Sequence, residues 1–392
     1  MTTPALGVPD PGVMIWVQHL MGIGHRRRAA AIVRALAERG ARVAFASGGA
    51  GAPEVDPDRV RVVALPAVRA ADARYRTLVD AHGHEVDDAW RAARRDALLA
   101  AFAEHAPQVL VTETWPFGRR LLRFELEPLV EHARAAGCRI VSSIRDVLQP
   151  PSKPSRARDA ADRVRASYDA VLVHGDPAFV GLDASFPETG RIRDRIRYTG
   201  YVAQGPGPDA PPGVGEGEVV VSAGGGVVAH RLVEIAIESA RLDRGRRWRV
   251  LVGPNAGADA LAAWCRAAPA NTVVEPNRTD FRSILSRARV SVSQAGYNTV
   301  TDLLAAGVPA VLVPFAAEGE REQSIRARVL AEAGAARVIE EERLTAEALL
   351  GAVRRAPVQV APKCRPVRLE GAAESAAAII EIASGAADPS HR

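Results

Sequence analysis

The chain has 392 residues, 47% of them hydrophobic and 25% charged, with a formal net charge of +5. That length suits two domains of ordinary size, each able to bury its own core, and the composition is that of a soluble globular chain. No apolar run approaches the length of a membrane span, residues 1–11 lack the basic and apolar regions of a signal peptide, and a cytoplasmic location is expected. The lysines are Lys153 and Lys363; the other basic residues are arginines spread along the chain. Such a distribution predicts a solvated surface and no nucleic-acid partner. Cys138, Cys265 and Cys364 are far apart and form neither a metal-spaced pair nor an even disulfide set.

Short apolar strands alternate with longer helical patterns, which predicts an α/β fold of parallel sheets with helices on both faces. Residues 13–18 read as the first strand, 26–39 as a helix stopped by Gly40, and 42–46 as the next strand. Strands are also expected at 60–65, 109–112, 139–144 and 170–173, completing a Rossmann-like domain over residues 1–200. Residues 201–217, dense in Pro and Gly, read as a linker. A second series at 219–222, 249–252, 272–274, 290–293 and 310–313 predicts another Rossmann-like domain over 218–365. The tail, 366–392, carries a late helical segment at 371–384.

In the first domain, Gly22-Ile23-Gly24-His25 stands directly after the first strand and before the first helix. In an open α/β sheet that is the carboxyl edge, where ligands bind, and Gly22 and Gly24 let backbone amides approach a substrate or phosphate. The loop lacks the third glycine of a dinucleotide fingerprint and the chain has no Walker-type Gly-Lys-Ser or Gly-Lys-Thr, so His25 also fits a helix cap or a surface position. Two other strand ends bring Glu113, followed by Arg119 and Arg120, and Arg145-Asp146 to the same edge. Glu113 and Asp146 suit orienting His25 or binding acceptor hydroxyls, and the arginines suit an anionic acceptor group. An Arg–Glu ion-pair network at a helix start is the alternative.

The second domain has Ser222-Ala223-Gly224-Gly225-Gly226 after its first strand, and three consecutive glycines call for a sharp turn or a closely approaching ligand. Asn255 ends the next strand. Phe281, in Asn277-Arg278-Thr279-Asp280-Phe281, is either a nucleobase neighbour or a core anchor for the helix that follows. The richest run is Ser293-Gln294-Ala295-Gly296-Tyr297-Asn298-Thr299, followed by Asp302 and, after another strand, by Glu322-Gln323. Ala295 and Gly296 keep side chains away from a ligand, and Asn298 and Thr299 fall where a helix begins, whose unpaired N–H groups favour an anion. Thr299 and Asp302 also fit a capping box that needs no ligand.

Metal ligation is not expected. Asp56-Pro57-Asp58 matches an Asp-x-Asp pattern in letters but lies in a Pro-rich loop, and Asp80, His82, His84 and Glu85 have no standard zinc spacing.

Together these motifs resemble the nucleotide-sugar half of the GT-B glycosyltransferases, most closely the MurG-like family and its natural-product relatives. The resemblance implies a GT-B architecture, two Rossmann-like domains with parallel sheets facing a central cleft, with the tail crossing back onto the first domain. It places the donor diphosphate at Asn298-Thr299, the ribose hydroxyls at Asp302, the donor sugar at Glu322-Gln323 and the nucleobase near Phe281. Many relatives carry His where this chain has Gln294, so a phosphate contact there is uncharged. The Gly-rich loop with a His after the first strand is shared with this family and with related nucleotide-sugar hydrolases, and it makes His25 the expected base.

The reaction so implied is an inverting, metal-independent transfer from a nucleoside diphosphate sugar, expected to be UDP-linked and of the UDP-N-acetylhexosamine type. The nucleotide sugar is a co-substrate, no cofactor is expected, and the acceptor is a small molecule, a glycan or a lipid-linked sugar. Peripheral contact with the inner face of a membrane stays open, because the MurG-like transferase acts on a lipid-linked acceptor. Two alternatives keep the donor site: a hydrolase that uses water, and a nucleotide-sugar binding protein without catalysis. The polar segments 72–88 and 113–120 suggest a larger acceptor surface than water needs.

Overall fold

The segment Gly12–Val17, GVMIWV, is buried along its whole length and apolar on both faces, as a central parallel strand must be. It belongs to a computed structural model that describes residues 10–20, 24–49, 55–71, 77–151, 153–205, 207–223, 228–253, 256–316, 319–356 and 367–385. The described residues form two compact units, drawn from Met1–Asp176, Phe186–Val202 and Glu370–Arg392, and from Pro177–Ser185 and Ala203–Leu369.

The first unit has strands β1 (Gly12–Val17), β2 (Arg42–Ser47), β3 (Val60–Ala64), β4 (Arg69–Ala70), β5 (Leu78–Val79), β6 (Val109–Glu113), β7 (Arg139–Arg145), β8 (Ala170–His174) and β9 (Ile196–Tyr198). Its first four helices are α1 (Gly24–Glu38), α2 (Asp88–His105), α3 (Arg123–Ala135) and α4 (Pro154–Ser167). Seven strands form one parallel sheet in the order β3-β2-β1-β6-β7-β8-β9, while β4 and β5 make a separate antiparallel ribbon. The order reverses between β1 and β6. At such a switch point the loops leave the sheet in opposite directions and open a crevice beyond the carboxyl ends of the two strands.

The second unit has β10 (Val219–Ala223), β11 (Trp248–Val252), β12 (Thr272–Pro276), β13 (Val290–Ser293), β14 (Ala310–Leu312) and β15 (Ala336–Val338). Its helices are α5 (Val228–Leu242), α6 (Ala258–Ala267), α7 (Phe281–Arg287), α8 (Tyr297–Ala306), α9 (Glu322–Glu332) and α10 (Ala346–Arg354). Its sheet is also parallel, ordered β12-β11-β10-β13-β14-β15, with the switch point between β10 and β13. Strands β9 and β15 were not expected from the sequence. Each has three residues, too few to show a period.

The Pro- and Gly-rich stretch after Val202 does not run as a bare linker. Ala210 is buried with Val220, Leu251 and Ile284, and its N–H donates to Ser283 Oγ at 3.0 Å. Tyr201 and Val202 are buried in the first unit, where Val202 bridges to Glu370. Helix α11 (Gly371–Ala383) then packs along α1, with Ala376 and Ile379 in the same core cluster as β1, β2 and β6. Gly371 makes this possible: a Cβ there would lie 2.3 Å from the Gly200 carbonyl oxygen and 2.7 Å from that of Tyr201. No described helix is long and apolar enough to cross a membrane.

Candidate active site

Helix α1 begins at Gly24, a few residues after β1, which sets His25 on its first turn at the carboxyl edge of the sheet. Glu113 is the last residue of β6, the strand on the other side of the switch point. The two meet: His25 Nδ1 is 3.1 Å from Glu113 Oε1. Arg28, one turn along α1 from His25, pairs with the same carboxylate oxygen. Thr114 Oγ1 lies 3.2 Å from His25 Nδ1. Thr114 has a backbone φ of +69°, a conformation that costs a β-branched residue on the order of 1–3 kcal/mol and that concentrates at functional sites.

Glu113 is fully buried. Burial pushes its carboxyl pKa up, but the Arg28 guanidinium and the His25 hydrogen bond outweigh that and hold it well below the usual carboxylate range. His25, whose side chain keeps 16% of its surface exposed, is shifted well below 6.5 by burial and by Arg119, against the opposing hydrogen bond of Glu113; Arg145 and Arg28 add to the lowering. The result is an ionised carboxylate behind a neutral imidazole. A neutral imidazole with one nitrogen held by a carboxylate can take a proton at the other.

The other first-unit expectations divide. Gly24 opens α1. Arg119, at φ +62°, and Arg145, at the end of β7, both act electrostatically on His25. Arg120 instead faces Asp159 on α4 at 3.7 Å, in an exposed pair. Asp146 is not at an acceptor surface: it is fully buried, Oδ1 accepting from the Val147 N–H at 2.8 Å and Oδ2 from the Tyr201 hydroxyl at 3.1 Å. A carboxylate so enclosed braces the chain between β7 and the end of the first unit. Gly22 lies outside the described residues.

Three residues with no distinguishing mark in the sequence belong to this edge. Ser143 Oγ donates to Glu113 Oε2 at 2.5 Å, and His174 Nε2 is 2.8 Å from Ser143 Oγ. They sit on β7 and β8, and only the register of the parallel sheet brings them beside Glu113. His19, just after β1, is buried with its Nδ1 unpartnered among the described residues, its ring against Gly49 where a Cβ would approach to 1.6 Å.

In the second unit several of the expected donor residues stand at the carboxyl edge beside the β10–β13 switch point. Ser222, on β10, pairs in register with Ser293, on β13. Gln294, Ala295 and Gly296 form the turn into α8, whose N-cap is Gly296, so Asn298 and Thr299 occupy its first turn. Thr299 lies inside the helix, three residues past its Gly296 N-cap, so it is not the capping residue of a capping box. Asp302 follows on the same helix, half-buried.

Helix α9 clamps this turn from behind. Gln323 Oε1 accepts from the N–H groups of Ala295 and Phe315, while Arg326 donates to the Ala295 carbonyl at 2.8 Å and to Glu322 Oε1 at 2.8 Å. Glu322, expected to meet a sugar, is buried in that ion pair, and Gln323 has its carbonyl oxygen committed to the backbone. Phe281 packs against two core clusters, in keeping with the anchor reading. Gly224, Gly225, Gly226 and Asn255 lie outside the described residues. Among the described residues no group of three or more His, Cys, Asp or Glu could hold a metal ion.

Residues 219–362 match the glycosyltransferase family 28 C-terminal domain. The chain is 31% identical over 240 residues to the UDP-N-acetylglucosamine–N-acetylmuramyl-(pentapeptide) pyrophosphoryl-undecaprenol N-acetylglucosamine transferase of Sinorhizobium fredii, covering 57% of this chain and 61% of that one. It is 37% identical over 86 residues to the enzyme of the same name from Desulforudis audaxviator, covering 22% of this chain and 23% of that one. The matched stretches thus span from about a quarter to three fifths of these relatives' length. Among solved structures, the calicheamicin glycosyltransferase CalG4 superposes with a TM-score of 0.66 at 18% identity, over 97% of this chain and 100% of that one. Acinetobacter baumannii MurG does so at 0.60 and 15% identity, over 95% and 100%.

Two parallel Rossmann-like units, each with its polar residues at a switch point, define the GT-B fold. Within that fold, the second unit matches the glycosyltransferase family 28 C-terminal domain over residues 219–362, and the chain is similar to the N-acetylglucosamine transferases named above.

Proposed function

We propose that this protein is a glycosyltransferase that moves a sugar from a nucleoside diphosphate sugar to an acceptor hydroxyl, with inversion and without a metal. The observation that carries the reading is the His25–Glu113 pair: a neutral imidazole oriented by a buried carboxylate at the switch point of the first sheet. His25 takes the proton of the acceptor hydroxyl as its oxygen forms a bond to the anomeric carbon. The bond from that carbon to the diphosphate oxygen breaks, and the diphosphate leaves with the electron pair.

The donor assignment rests on the second unit. The N-terminus of α8 offers N–H groups to the diphosphate, which stabilises the leaving group as its charge grows. Asp302 is assigned to the ribose hydroxyls, and Gln323, through its amide nitrogen, to the sugar. A UDP-N-acetylhexosamine is the favoured donor because the curated relatives are named for transfer from UDP-N-acetylglucosamine. Their named acceptor is lipid-linked, which makes a lipid-linked or other hydroxyl acceptor, and peripheral contact with the inner face of a membrane, part of the same proposal.

Incubating the protein with a panel of nucleotide sugars, with and without a cell extract as the source of acceptor, tests this. Release of nucleoside diphosphate that depends on the extract, and that His25→Ala abolishes while donor binding persists, is the expected result. Extract-independent release would replace transfer by hydrolysis, and undiminished transfer by His25→Ala would remove His25 from its role.

A further inference from the structure

Behind Glu113 the first unit carries a line of buried polar side chains that a carboxylate–imidazole pair does not by itself require. Ser143, on β7, and His174, on β8, are both buried, as is Thr199, which follows β9. Four neighbouring elements of the sheet therefore each place one polar group on the same line, in the layer where apolar side chains would pack most cheaply. Buried polar groups persist only when their donors and acceptors are matched, so the direction of every hydrogen bond here can be worked out.

The ionised Glu113 carboxylate only accepts. Its Oε2 accepts a hydrogen bond from the Ser143 hydroxyl at 2.5 Å. With its one hydrogen engaged there, Ser143 Oγ must accept from His174 Nε2, 2.8 Å distant. His174 then carries its proton on Nε2, and its Nδ1 accepts from the Thr199 hydroxyl at 3.0 Å. The Ser375 hydroxyl, 3.3 Å from the same nitrogen, is turned to the Gly371 carbonyl. A neutral His174 suits this line; burial, helped by Arg28, lowers its pKa to about 3 against the opposing Glu113 and Asp146.

At the other end, His25 Nδ1 has competing neighbours: Glu113 Oε1 at 3.1 Å, Thr114 Oγ1 at 3.2 Å and an Arg28 nitrogen at 3.3 Å. Were Arg28 to donate to Nδ1, the ring proton would sit on Nε2 and His25 would be unable to accept a proton there. Arg28 Nη2 makes its much shorter, charge-assisted contact with Glu113 Oε1, so the carboxylate and not the imidazole is its principal acceptor. With Oε2 pinned by Ser143, Oε1 is fixed in the direction of His25.

We infer that Ser143 and His174 are positioning residues: through Glu113 they hold His25 in the tautomer with the proton on Nδ1 and the lone pair on Nε2. The inference rests on the base role proposed for His25, but the tautomer can be read without any substrate. A residue that acts this way changes the rate of proton transfer and leaves donor affinity alone.

The test uses the full chain labelled with nitrogen-15 histidine, with two-bond proton–nitrogen correlation spectra at neutral pH and His25 assigned through His25→Gln. The expected wild-type result is His25 protonated on Nδ1 and His174 protonated on Nε2. Ser143→Ala is expected to turn His25 into a tautomer mixture and to lower kcat roughly ten- to a hundredfold, the scale of one hydrogen bond to a charged group, with donor KM unchanged. Ser143→Thr, which keeps the hydroxyl, restores the wild-type tautomer. A wild-type His25 protonated on Nε2, or a Ser143→Ala protein with the wild-type tautomer, would overturn the inference. Should Ser143→Ala fail to fold, the two wild-type tautomers decide alone. A correct tautomer in a protein that transfers no sugar would remove the proposed function and leave the hydrogen-bond line standing.

Discussion

Gln323 holds Ala295 in place: its side-chain Oε1 accepts the Ala295 N–H at 3.1 Å and shares itself with the Phe315 N–H at the same distance. One amide oxygen on α9 thus ties the turn into α8 to the segment that follows β14. Gln323→Ala leaves both N–H groups unpaired, and an unsatisfied buried donor costs about 1–3 kcal/mol. Denaturant unfolding should show a loss of that size together with weaker nucleotide-sugar binding. Gln323→Glu keeps an accepting oxygen, so its stability should stay within about 1 kcal/mol of wild type, while its donor affinity still falls because the amide nitrogen is gone. Equal destabilisation by both substitutions would mean that the clamp is not the source.

Glu113→Gln tests the carboxylate behind His25. The amide no longer offers His25 an anionic partner, and it leaves Arg28 buried beside a neutral group. A fall in kcat of roughly two orders of magnitude is expected, within the range for disabling a general base, along with a loss of stability of a few kcal/mol from the broken buried pair. Donor dissociation constants should not move. Steady-state kinetics beside isothermal titration would separate the two effects.

Acid should weaken the fold at higher pH than carboxylate titration alone predicts. His174, His25, His19 and His105 are all shifted below 6.5, in each case with burial as the leading cause, so the unfolded chain binds more protons than the native one once the pH drops beneath that value. For His174, held at about 3, the loss begins near pH 6.5 and continues toward pH 3. Between pH 7 and pH 5 it amounts to about 2 kcal/mol from that imidazole. Glu113, depressed in the native state, adds stability that is present above about pH 4.5 and is lost below it. Denaturation curves at pH 7.5, 6 and 5 should show a steady decline; a flat profile down to pH 5 would contradict a neutral buried His174. With His25 in the base role proposed above, transfer activity should hold its plateau down to below pH 6.5.

Gly371→Ala should loosen the C-terminal helix. The added methyl meets two backbone carbonyl oxygens that cannot step aside, and overpacking of this kind costs about 1–3 kcal/mol. Hydrogen exchange would show faster opening of α11 and of the residues on α1 that it covers, with the second unit unchanged.

Much of the fold could be read in advance because parallel sheets write themselves plainly. Segments such as Gly12–Val17 and Val109–Glu113 are apolar on both faces, bounded by helical patterns, and few other structures accommodate them. Ser222 and the turn from Gln294 to Gly296 stand at one strand edge, since such an edge follows from where strands end. Burial was the part the letters hid. Asp146 and Glu322 look like ligand-facing charges in the sequence, yet one is taken by Tyr201 and the other by Arg326, a partner one helical turn away. Ser143 and His174 carry no local mark at all, being single polar residues within apolar strands.

The sequence by itself determined the α/β class, the two Rossmann-like halves, the helix that follows β1 and the turn at the end of β13, because hydrophobic periodicity and glycine placement are local properties of a chain. Tertiary structure alone decided which charges reach one another. Strand order set β6 beside β1 and so put Glu113 behind His25, and the register of β6, β7 and β8 put Ser143 and His174 behind Glu113. The separation between those four residues runs from 30 to 149 positions along the chain and collapses to contact only when the sheet closes, which no short window of sequence can record.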